Sequence, residues 1–130
     1  MVMNYQRIYE KLGFLFYAIA VADNAVTNAE MDRLKEMVQQ TWIPAEDSTD
    51  EFGTDAAQYI FISFDYLANE GVRAETAFVE FEDYYSEHSA AFDKEMKKNI
   101  LSTAHGIAEA FKGENSKESA ILARLESLLE

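Results

Sequence analysis

Cysteine is absent from this 130-residue chain, proline occurs once and glycine five times. Without cysteine there can be no disulfide, no thiolate metal site and no cysteine nucleophile, although the compartment stays open. So few breakers favour long helices over many short strands. Basic residues are scarce as well: 11 Lys and Arg stand against 24 Asp and Glu, a formal net charge of −13. That charge repels phosphate backbones and anionic bilayers, which argues against nucleic acid and membrane surfaces as partners. Cations and basic protein surfaces remain, and solubility alone is the plainer reading of the charge.

What the chain does have is a 48% hydrophobic composition, with nine Phe, seven Tyr and one Trp. This places it among globular proteins, and its length suits one domain with its own core. The longest apolar run, Leu12 to Ala22, follows Arg7 and Lys11 and ends in Ala20-Val21-Ala22, as a secretion signal would. Glu10 interrupts the basic region, however. Tyr5, Ile8, Leu12, Leu15, Ile19 and Ala22 also form one helical stripe that begins before the run. The run reads as a core helix, too short to span a bilayer, and the chain as cytoplasmic without membrane insertion, with export as the alternative.

Periodicity and punctuation predict six helices. The first spans about Asn4 to Ala22. The second starts after Thr27 or Asn28 and stops before Ile43-Pro44, because a residue preceding proline avoids the α region. Pro44 to Asp50 reads as an acidic loop, and Ser48-Thr49-Asp50-Glu51 as a capping box opening the third helix. Within it, Tyr59 to Phe64 is apolar enough for a buried strand, but its flanks favour a helix. Asn69-Glu70-Gly71 breaks the chain. A fourth helix covers about Ala74 to Glu87, a fifth carries Phe92 to Phe111 and ends at Gly113, and a sixth spans about Lys117 to Leu129.

The chain also matches itself. Ile19-Ala20-Val21-Ala22 lies over Ile107-Ala108-Glu109-Ala110, and the same shift sets Asn28 on Ser116, Glu30 on Glu118, Leu34 on Leu122 and Met37 on Leu125. Each copy is a helix end, a short polar turn, a cap, a glutamate and an apolar stripe. The expected architecture is all-α, two related three-helix repeats at about 1–68 and 74–130, with the first and fifth helices central.

The stretch Phe16 to Glu30 resembles the TerB-like family, named for tellurite resistance proteins, on its alanine-rich helix end, Asp23, Val26 and Glu30. Asn24 stands where that family usually has glycine, and Phe111 takes the place of the aspartate in the second copy, where Glu118 remains. The resemblance implies a multihelical TerB-like bundle and a stress-associated module without catalytic activity, in which acidic residues (here Asp23, Glu30 and Glu118) are candidate ligands for a divalent cation.

The same residues have a structural reading. Thr27-Asn28-Ala29-Glu30 is a capping box, Asn115-Ser116-Lys117-Glu118 a looser one, and Asp23 can simply end the first helix. The spacing is not that of an EF-hand. Glu46, Asp47, Asp50, Glu51 and Asp55 can draw a basic partner or serve as solvated acids at a helix N-terminus. His88 reads as exposed and His105 as partly buried and hydrogen-bonded, one turn from Glu109, and no nucleophile motif accompanies either. Phe61, Phe64, Tyr66, Phe78, Phe81, Tyr84 and Tyr85 read as core, with a pocket or dimer interface as alternatives. The expected activity is binding, to a protein partner or a cation, with self-association as the rival.

Overall fold

A computed structural model of the chain describes residues 5–21, 28–42, 58–110 and 116–129. Among these residues there are six α-helices and no strand: α1 (Tyr5–Ala20), α2 (Asn28–Met37), α3 (Gln58–Glu70), α4 (Ala74–His88), α5 (Lys94–Ala110) and α6 (Ser116–Leu129). A π-helical segment, Val38–Trp42, extends α2, and a 3-10 turn, Ser89–Ala91, follows α4. The expected all-α class and the boundaries of α1, α4, α5 and α6 hold to within a few residues. The acidic loop and the beginning expected for the third helix lie outside the described residues.

The centre of the bundle is α1, which packs against α3, α4, α5 and α6. Ile8, Leu12, Leu15, Phe16, Ile19 and Ala20 are all fully buried along it. Each of the larger side chains among them contributes about 1.5–3 kcal/mol relative to exposure. That the apolar run is wider than one stripe is therefore a consequence of neighbours on several sides. Helix α5 packs on α1, α2 and α6. It begins at Asp93, whose carboxylate accepts the Met96 backbone N–H at 2.8 Å, a side-chain N-cap.

Two local departures from the regular α-helix shape the bundle. Leu34, Val38 and Trp42 are all buried at intervals of four residues. Four residues overshoot one α-helical turn, so this face would rotate away from the core; the wider π turn keeps Trp42 inward. Elsewhere, α3 closes through Gly71, which has φ 65°. The Gly71 N–H donates to the Ala68 carbonyl at 3.4 Å and the Val72 N–H to the Leu67 carbonyl at 3.3 Å. This paired closure requires a left-handed residue. An added Cβ there meets nothing within 4 Å, so the cost of Gly71→Ala is conformational. We expect a loss of about 1 kcal/mol in urea unfolding, and a smaller one for Gly71→Asn. An unchanged Gly71→Ala midpoint would contradict the left-handed closure.

Candidate functional site

Asp23, the first of the acidic candidates, lies outside the described residues. Glu30 and Glu118 fall within α2 and α6, but their side chains lie outside the described set. The acids Glu46, Asp47, Asp50, Glu51 and Asp55 also lie outside it. Among the described residues no group of three His, Cys, Asp or Glu is placed to hold a metal ion.

The histidines are surface residues. His88 is exposed as expected; its ring stacks on Tyr84 at 4.2 Å and its Nδ1 lies 3.0 Å from the Tyr84 carbonyl. His105 is exposed rather than partly buried, with 48% of its side chain accessible. Its Nε2 meets Glu126 Oε1 of α6 at 3.1 Å, not Glu109 on its own helix. The apolar neighbours of His105 in sequence turn inward while its own position turns outward, which periodicity around a single polar residue does not reveal.

Most of the aromatic set is core. Phe64, Phe78, Phe81 and Tyr85 are buried, and Phe81, Tyr84 and Tyr85 gather around Phe92 at centroid distances of 5.0–6.4 Å. Tyr84 is partly buried, and that burial pushes its phenol up. Tyr66 departs from the expectation: it is 60% exposed, and Ile62, one turn earlier on α3, is 49% exposed. Asp65 and Glu70 flank them, and α3 carries no Lys or Arg.

A buried polar link joins two distant elements: Trp42 Nε1–H donates to Thr103 Oγ at 3.0 Å. Tyr9 and Phe16 of α1 sit against the same indole at 5.9 and 6.2 Å. On the outside, Arg124 of α6 reaches α4, where it meets Glu75 at 3.0 Å and Glu82 at 3.3 Å and lies 4.5 Å from the centre of the Phe78 ring. Hydrogen bonding to Glu75 raises its already high pKa further. These contacts tie α6 to α4, and they are partly exposed, so each contributes modestly.

A pocket opens between the end of α1, the start of α2 and the α3–α4 turn. Tyr17, Val21, Met31, Val72 and Arg73 are among its walls. Tyr17 is buried at its side, stacks edge-on against Phe64 at 5.8 Å, and donates its hydroxyl to the Val72 carbonyl at 2.5 Å. Burial pushes this phenol up, so it stays a donor. Arg73, Thr103 and Arg124 carry no motif that periodicity can see. The one usable signal for Arg73 is a cation that follows Gly71 and stands directly before a helix start. No family model matches the chain, and no curated protein or solved structure matches it either.

Proposed function

We propose that this chain is a non-catalytic helical module, TerB-like in arrangement, that acts by binding a protein partner. The observation that carries this reading is the Ile62–Tyr66 pair, exposed one turn apart on a helix whose other large apolar residues turn inward. Exposed aromatic and aliphatic side chains side by side are contact surface, and the flanking acids suit a basic counterpart. Association with a stress response rests on the Asp23–Glu30 resemblance. So does the cation branch, in which Asp23, Glu30 and Glu118 would be the ligands.

A second copy of the chain is the rival occupant of the Ile62–Tyr66 surface. Each copy carries a formal charge of −13, which opposes pairing. Two measurements separate the readings. Photo-crosslinking from position 70, exposed one turn after Tyr66 on the same helix, is expected to trap a different protein in native cells, and Ile62→Ser with Tyr66→Ser to abolish the adduct with little change in stability. A self-adduct, together with a dimer in sedimentation, would establish the rival. For the cation branch, calorimetry with calcium, magnesium, zinc and manganese is decisive: heat that disappears in Asp23→Asn supports it, and none at millimolar metal ends it.

A further inference from the structure

The pocket between α1, α2 and the α3–α4 turn has a volume of ≈430 Å3. That falls inside the range of small-molecule sites, about 300–1,000 Å3. Its walls combine apolar side chains from three elements with one cation. Val21, directly after α1, lines it together with Met31 of α2 and with Val72 and Arg73 of the turn. The wall is held in place, because the Tyr17 hydroxyl is bonded to the Val72 carbonyl and Gly71 fixes the path of the turn.

Arg73 differs from the other arginines of the chain. Arg7 pairs with Glu10, Arg33 with Glu36, and Arg124 with Glu75 and Glu82. Arg73 is exposed on the pocket rim, and among the described residues no carboxylate pairs with it, although Glu70 and Glu75 lie close by in sequence. In so acidic a chain, a guanidinium left open beside an apolar pocket is a receptor for one negative charge. A planar carboxylate can take two parallel hydrogen bonds from it. A dianionic phosphate would leave excess charge in the field of a protein at −13.

We propose that this pocket binds a small monocarboxylate with an apolar body, the carboxylate on Arg73 and the body against Val21, Met31 and Val72. Octanoate is the probe, titrated into the full chain by calorimetry and by amide chemical shifts. One-to-one saturation is expected by ~10 mM, a weak but specific affinity. The shifts should centre on Val21, Met31, Gly71 and Val72. Arg73→Gln should weaken octanoate about 10- to 100-fold, the loss of a charge-assisted pair. Arg73→Lys should recover part of it, and Arg33→Gln should change nothing. Octanol should bind wild type about as weakly as octanoate binds Arg73→Gln. Among the described residues Arg73 has no side-chain partner to lose, so circular dichroism of Arg73→Gln should match wild type. The proposal is overturned by non-saturating heats, by shifts centred elsewhere, by octanol binding as well as octanoate, or by Arg73→Gln binding as tightly as wild type.

Discussion

Gly13→Val is expected to be among the most destabilising single changes in this protein. Gly13 sits in the buried middle of α1, where a Cβ would fall 2.5 Å from the Ile60 carbonyl oxygen and 2.6 Å from the Ser63 Cβ, with the Phe64 nitrogen at 3.2 Å. Two of these three neighbours are backbone, so no side chain can rotate away. To admit even alanine, α1 and α3 must move apart. That would loosen Phe64 and Ile60, both buried to about 1% exposure or less. Alanine gains about 1 kcal/mol of helix propensity over glycine in an unstrained helix. Overpacking costs about 1–3 kcal/mol, sometimes more. We therefore expect Gly13→Ala to be net destabilising and Gly13→Val to lose about 3 kcal/mol or more, a large share of the 5–15 kcal/mol typical of a whole domain. Urea unfolding followed by circular dichroism measures both. A Gly13→Ala protein more stable than wild type would show that the helices are not in such close approach.

The second large effect belongs to Trp42. This side chain is 1% exposed and fills the space between α1 and α5, with Tyr9 and Phe16 on one side and Thr103 on the other. Trp42→Ala removes a large buried ring and is expected to cost about 3–5 kcal/mol. Thr103→Val keeps the volume but leaves the indole N–H without its acceptor, at about 1–3 kcal/mol. The two sources can be separated by a cycle of Trp42→Phe and Thr103→Val, in which a coupling of roughly 1 kcal/mol is expected because the residues share one bond. Trp42 is the single tryptophan of the chain, so its emission reports this site alone. Blue-shifted native emission that moves to the red on unfolding is the expected signal. Solvent-like emission from the native protein would contradict the placement of Trp42.

Both effects depend on places where the chain's own pattern is silent. Gly13 lies inside a run of apolar residues, and nothing adjacent to it in sequence names Ile60 or Ser63 as the backbone it approaches. Trp42 ends the second helix, and nothing near it in sequence names its hydrogen-bond partner Thr103, 61 residues further on. The exposed pair on α3 has a similar origin. Ile60, Phe64 and Leu67 follow the helical period inward, but Tyr59 to Phe64 is nearly all apolar and Tyr66 reads as core, so the pattern does not mark Ile62 and Tyr66 as an outward pair. The packing of α3 on α1 turns Ile60, Phe64 and Leu67 inward and leaves Ile62 and Tyr66 outside.

Local properties of the residues were enough to establish the helical class, the break at Gly71 and most of the inward faces. Caps, proline, glycine and a 3.6-residue period all act over a single turn of chain. The absence of cysteine and the excess of acid likewise narrowed the chemistry without any reference to shape. The tertiary structure alone decided that Gly13 is a point of close approach, and that Arg73 lies beside a pocket with no carboxylate partner among the described residues while its fellow arginines are paired. Those facts depend on residues far apart in sequence meeting in space, and interactions of that range leave no trace in periodicity.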